Sequence, residues 1–91
     1  MSKEIEVAAR QQLQQVGVNI AVWRNIRRLS QEALAERAGI STVELSLIES
    51  AGTYKAFSIE VFYNISKALG VEPDMLLSGK RRDVEEAWGN G

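Results

Sequence analysis

The side chains of this chain that are equipped for chemistry are suited to noncovalent binding. The 91 residues include no cysteine and no histidine. This removes the common zinc sites, the Cys–His and Ser–His nucleophile pairs and histidine acid–base chemistry. Serine and lysine residues remain, but no spacing between them suggests a catalytic pair. The sequence therefore predicts a protein that is not an enzyme, with no catalytic residue, no metal site and no cofactor.

A run at residues 42–47 combines hydroxyl, carboxylate and apolar side chains that can contact the edges of DNA bases. Thr42 can hydrogen-bond a base edge or a phosphate, Val43 can meet a thymine methyl group, and Glu44 can accept a hydrogen bond from cytosine N4. If this run is a helix, Ser46 and Leu47 share its exposed face with Thr42 and Val43, and Glu44 lies at the flank. Base recognition then depends on the scaffold that presents the run.

Residues 31–50 have the apolar pattern of two short helices joined by a sharp turn. Leu34 and Ala38 are spaced i and i+4, so they share one face of a first helix. Leu45 and Ile48 are spaced i and i+3, so they share one face of a second. Gly39 stands between the helices, where a sharp turn requires positive φ and glycine adopts it at little steric cost.

Four smaller signals support the same arrangement. Ala35 is small where two helices must cross closely, and Ile40 can fill the corner between them. Ser30 and Ser41 each precede a helix and can cap it through the hydroxyl oxygen. Such a helix-turn-helix has one dominant use, which is to place its second helix in the major groove of duplex DNA.

The chain contains the stretch RNIRRLSQEALAERAGIS and, after it, the stretch ISKALGVEPDMLL. Both resemble the XRE and lambda-repressor-like helix-turn-helix proteins, which include phage-repressor-like transcriptional regulators. The resemblance covers residues 16 to about 78. It implies an all-α fold, with a five-helix lambda-repressor-like domain and an N-terminal helical extension. The expected organisation is the extension at 1–15, the DNA-binding domain at 16–78 and a C-terminal tail at 79–91.

By this resemblance, Thr42, Val43 and Leu47 match the base-reading positions of the family, and Glu44 and Ser46 complete the predicted base contacts. Many relatives carry Gln, Arg or Lys at these positions, and this chain carries none. An alternative interpretation is that Val43 and Leu47 form an apolar strip for a protein partner.

The predicted phosphate contacts are Gln31, Arg27, Arg28, Ser41, Tyr54 and Lys55. In the family, the residue that opens the second helix is often a glutamine that grips a phosphate, and a helix N-terminus binds anions. The alternative for Gln31 is an ordinary polar residue of the first turn. The loop that holds Tyr54 and Lys55 is about two residues longer than in relatives, and Arg28 stands where relatives often have glycine.

The resemblance also pairs Arg24, in the first helix, with Glu49, at the end of the third. An Arg fork can bind a carboxylate through two hydrogen bonds and fix the recognition helix against the first helix. The alternative is that both are solvated surface charges.

Apolar spacing predicts helices throughout. Residues 3–28 form one long helix or two helices broken near Gly17, and further helices are expected at 31–38, 42–50, from Ser58 to Gly70 and at 73–77, where Pro73 opens the last one. The predicted core consists of Ile20, Trp23, Leu34, Ala38, Ile40, Leu45, Ile48, Ile59, Phe62, Ile65 and Leu69.

The formal net charge is −1, although DNA-binding proteins usually present a basic face. Basic residues cluster at 24–28 and 80–82, and acidic residues gather at 72–74 and 83–86, so the molecule can still be polarised. No apolar run approaches the ~18 residues of a membrane span, and the N-terminus lacks the apolar segment of a secretory signal. The cytoplasm is therefore the expected location, with no membrane partner.

The resemblance implies that the partner is double-stranded DNA. The expected function is a sequence-specific transcription regulator, a repressor, that binds a palindromic operator as a homodimer. An apolar stripe at residues 5–16 is a candidate dimer interface, although it can equally pack on its own domain. The alternative function is an antitoxin or a protein–protein adaptor that uses the same fold.

Overall fold

The computed structural model describes residues 3–50 and 55–77; Tyr54 and the predicted tail at 79–91 lie outside this part of the chain. The described residues form five helices: α1 (Lys3–Ile26), α2 (Gln31–Ala38), α3 (Thr42–Glu49), α4 (Ile59–Leu69) and α5 (Pro73–Leu77). No strand occurs among them. The all-helical, five-helix fold predicted from the sequence is confirmed.

The ends of the helices are set by short polar residues and glycines. The Oγ atoms of Ser30, Ser41 and Ser58 accept hydrogen bonds from the backbone N–H three residues ahead, at 3.0, 3.0 and 3.1 Å, as N-caps do. Gly39 and Gly70 have φ of 75° and 69° and end α2 and α4 in the left-handed conformation. The predicted caps and turns are therefore present.

Helix α1 is a single helix that continues through Gly17. Gly17 lies against the backbone of α3, because a Cβ atom built at this position would overlap the carbonyl oxygen of Ile48. Glycine is needed here for the close approach of two helices and not for a turn. The predicted boundary between the extension and the domain falls inside α1, where residues 3–12 are exposed and Val16 is buried.

The core lies between α1 and the four shorter helices. Most of the predicted core residues are buried, while Ile40 and Phe62 are only partly buried and pack against its edge. The prediction for Ile59 is wrong, because this residue is 82% exposed. Three residues of a helix cover about 60° less than a full turn. Ile59 therefore lies outside the face that Phe62 and Ile65 share. It is in the first turn of α4, which the core does not reach.

Helix α5 is tied to α1 by polar side chains. Asn19 is buried and donates from Nδ2 to the carbonyl oxygen of Leu76 at 3.0 Å. Gln12 donates to the carbonyl oxygen of Leu77 at 2.8 Å. These donors satisfy carbonyl groups that a helix C-terminus leaves without an intrahelical partner. No helix of the described chain has the length and apolar character needed to cross a bilayer.

Candidate nucleic-acid interface

The turn between α2 and α3 holds the two helices at a fixed crossing. The backbone N–H groups of Gly39 and Ile40 donate to the carbonyl oxygens of Glu36 and Ala35 at 3.2 and 3.0 Å. Ala35, which accepts one of these hydrogen bonds, is buried. Since Ile40 packs against the core beside this turn, α2 fixes where α3 begins.

Helix α3 buries one face and exposes the other. Leu45 and Ile48 point into the core, whereas Val43 and Leu47 are 71% and 45% exposed. Thr42 and Ser46 are exposed beside them, and Glu44 is half-buried at the flank. Ser41 caps the helix through its side chain. The structure thus places all five predicted base-contact residues on or beside one solvent-facing surface, which we call the α3 face.

The C-terminal end of α3 is fixed to α1 by an ion pair. Arg24 donates from Nε to Oε2 of Glu49 at 2.8 Å and from Nη2 to Oε1 at 3.0 Å. The side chains are only 14% and 5% exposed. Arg24 also donates from Nη1 to the carbonyl oxygen of Leu29 at 2.8 Å. This two-bond contact is the strong form of the Arg–carboxylate interaction, and it limits rolling of α3.

Gln31, at the start of α2, makes a contact that the sequence did not predict. Its Nε2 atom donates to Oε1 of Glu49 at 2.9 Å. The two residues are 18 positions apart, and no local pattern indicates the pairing. Because an amide nitrogen carries two hydrogens, a second one remains for a ligand. Gln31 can therefore serve the protein and a phosphate together.

The predicted phosphate-binding cations differ in how they are held. Arg27 donates from Nε to the carbonyl oxygen of Leu69 at 2.8 Å, and its guanidinium lies 5.2 Å from the centre of a Trp23 ring. Arg28 is exposed and has a positive φ of 58°, as expected for a residue in a glycine-like position. Lys55 is exposed. Arg28 and Lys55 thus present their charge to solvent, whereas Arg27 also bridges α1 and α4.

A solvent-facing second helix, held by a glycine turn and anchored at both ends, defines a DNA-binding helix-turn-helix module. A helix-turn-helix family model matches residues 20–76. The chain therefore belongs to the XRE family of lambda-repressor-like helix-turn-helix proteins, a family of DNA-binding transcription regulators that are typically not enzymes. A comparison with curated proteins gives no match. Within the described residues, no three His, Cys, Asp or Glu side chains gather as metal ligands would.

Proposed function

We propose that this protein is a sequence-specific transcription regulator that represses by binding a palindromic operator as a homodimer. The observation that carries the proposal is the α3 face, which is exposed while the opposite side of the same helix is buried. Family membership supports duplex DNA as the ligand. Repression needs only occupancy of the operator, so a small DNA-binding domain is sufficient for it.

The phosphate contacts in this proposal come from the starts of α2 and α3 and from the chain just before and just after the helix-turn-helix. The N-terminus of α2 offers backbone N–H groups to a phosphate, and Gln31 adds one amide hydrogen beside them. Arg28 and Lys55 supply exposed positive charge. Ser41, Tyr54 and Arg27 complete the proposed set. Such contacts set affinity and register, whereas the α3 face supplies the choice of sequence.

The proposal of a homodimer follows from the small size of the DNA-binding domain. An eight-residue α3 contacts one half-site, and two such domains gain affinity when they engage half-sites about 34 Å apart. The proposed interface is the extension at residues 1–15, of which residues 3–12 are described as exposed, and Ile5, at the start of the apolar stripe, is more than half exposed. Residues 16–78 form the DNA-binding domain in this proposal, and 79–91 form its tail.

Sedimentation at micromolar concentration tests the dimer. We expect a species of twice the 10.1 kDa chain mass, and charged substitution of Ile5, the exposed first residue of the apolar stripe, is expected to shift it towards the monomer. A matched substitution of Ile59, which is exposed on α4, should leave the mass unchanged. A 10.1 kDa species for the unaltered chain contradicts the proposed dimer.

The regulator function is tested by selection from a pool of random duplexes. We expect a palindromic consensus whose half-sites are separated by one helical turn or a multiple of it. The Val43→Ala/Leu47→Ala double variant should retain binding to random DNA and lose its preference for the consensus. Retention of no sequence above background contradicts the proposal.

The second candidate function is an antitoxin or an adaptor for another protein. The observation that favours it is the exposed apolar pair Val43 and Leu47, because apolar surface can mark a protein interface. In that case the same double variant abolishes a protein complex and leaves DNA affinity unchanged. The two functions are therefore separated by one pair of substitutions measured in two binding assays.

A further inference from the structure

The α3 face is unusually poor in hydrogen-bond donors for a surface that reads DNA. Residues 42–47 include no Arg, Lys, Gln or Asn. The only side-chain donors are the hydroxyls of Thr42 and Ser46, and the ionised carboxylate of Glu44 accepts and does not donate. Guanine presents two acceptors, N7 and O6, in the major groove. The α3 face therefore has little to offer a guanine.

What the α3 face does offer is apolar contact. Val43 and Leu47 are spaced i and i+4, so they lie one above the other on the helix, and both are exposed. The apolar group that the major groove presents is the C5 methyl group of thymine. A 5-methylcytosine carries the same methyl group at the same ring position. The apolar pair is thus complementary to a pyrimidine that is methylated at C5, whichever of the two bases it is.

The fold keeps this apolar pair turned outward. Leu45 and Ile48 occupy the core on the opposite side of α3, and Glu49 is held by Arg24. Gly17 brings the backbone of α1 against Ile48. Rolling α3 to hide its apolar pair would break all three contacts. Because Val43 remains exposed in the free protein, its burial is available for binding.

We propose that Val43 and Leu47 recognise the C5 methyl groups of pyrimidines, so that the protein distinguishes thymine from uracil and 5-methylcytosine from cytosine. This inference rests on the proposed DNA-binding function. Glu44 selects between the two methylated bases, because its carboxylate accepts a hydrogen bond from N4 of cytosine and meets only an acceptor, O4, in thymine. Methylation of cytosine at these steps then raises affinity for the operator.

The test uses the full chain and duplexes that differ by single methyl groups. After selection from random DNA, the consensus duplex is prepared with deoxyuridine in place of thymidine at each step in turn. A second series has cytosine or 5-methylcytosine at the same steps. We expect binding to weaken about fourfold for each contacted methyl group that is removed, as for one methylene-sized group withdrawn from an apolar contact, and 5-methylcytosine to bind more tightly than cytosine by a similar factor.

Variants assign the effect to the apolar pair. Val43→Ala and Leu47→Ala should each remove the methyl dependence at one step, whereas Ile59→Ala, which truncates a more exposed apolar side chain on α4, should preserve it. Glu44→Gln should reduce the preference for 5-methylcytosine over thymine. Equal affinity for methylated and unmethylated duplexes overturns this inference and leaves the proposed function standing. A pool from which no duplex is retained overturns both.

Discussion

Gln31 donates a hydrogen bond from Nε2 to Oε1 of Glu49 at 2.9 Å, so the first residue of α2 is joined to the last residue of α3. The same oxygen accepts a hydrogen bond from Nη2 of Arg24 at 3.0 Å. One carboxylate therefore links three helices. Since α2 supplies the proposed phosphate contact and α3 the proposed base contacts, the Glu49 carboxylate sets their relative position.

Replacing Arg24 with Ala is expected to lower the free energy of unfolding by about 3–5 kcal/mol, because it leaves the nearly buried Glu49 carboxylate without its charge partner. Urea denaturation measures this cost. The Arg24→Leu/Glu49→Leu double variant should recover part of it, since removal of both charges leaves no unpaired carboxylate. A loss below 1 kcal/mol for Arg24→Ala would place the pair among ordinary surface ion pairs.

Replacing Gln31 with Ala is expected to weaken the binding free energy for the operator and for random duplexes by a similar amount. The expected loss is about 1 kcal/mol, the usual net value of one hydrogen bond. The reason is that a phosphate contact carries no base preference. Affinity is measured on both kinds of duplex at one salt concentration. Gln11→Ala, the same uncharged change at an exposed position of α1, is the control. Unchanged affinity for Gln31→Ala means that its amide serves the protein alone.

Replacing Gly17 with Ala is expected to destabilise the protein, although the same change in an exposed helix interior stabilises by roughly 1 kcal/mol. The added methyl group meets the carbonyl oxygen of Ile48, so α3 must move away from α1. Thermal unfolding should give a lower Tm, whereas Gln11→Ala, on the exposed part of α1, should leave Tm nearly unchanged. An unchanged or higher Tm for Gly17→Ala contradicts the close approach.

Replacing Lys55 with Ala is expected to weaken all duplexes alike and to reduce the slope of log K against log salt by about 0.9, the value for one phosphate neutralised. Of the proposed phosphate contacts only Arg27, Arg28 and Lys55 are cations, so the slope of the unaltered protein should itself be shallow. Binding titrations at several salt concentrations give both values. Lys67→Ala, which removes an exposed cation from the last turn of α4, serves as the control. A slope unaffected by Lys55→Ala removes this residue from the phosphate contacts.

The sequence predicted those features of the fold that depend on local chemistry. Serine caps, glycine ends and the i, i+3 and i, i+4 faces each involve residues within one turn of a helix, so their spacing identifies them. The Arg24–Glu49 contact lies beyond such reasoning, and it was available only because two motifs resemble a known family. In the structure the two side chains meet at 2.8 Å.

The remaining features depend on how the helices pack, and no local pattern encodes them. Gln31 and Asn19 are polar residues whose partners lie 18 and 57 positions away. Gly17 resembles a weak point in a helix until α3 is placed beside it. Ile59 fits an apolar series by its spacing, but the core ends before it is reached. Base recognition itself requires a ligand, so the contacts of the α3 face stay predictions.

Because α1 is one unbroken helix, its exposed N-terminal part has a fixed direction and a fixed rotation relative to the rest of the domain. Its 24 residues span about 36 Å at 1.5 Å per residue. At Gly17 the helix packs against the backbone of α3. A helical domain fused in register to this N-terminal part would be held at a set angle to the reading helix, with no hinge between them. Each residue inserted at the junction would turn that domain by about 100°. The length of the junction would therefore set the orientation of a second protein around a DNA site.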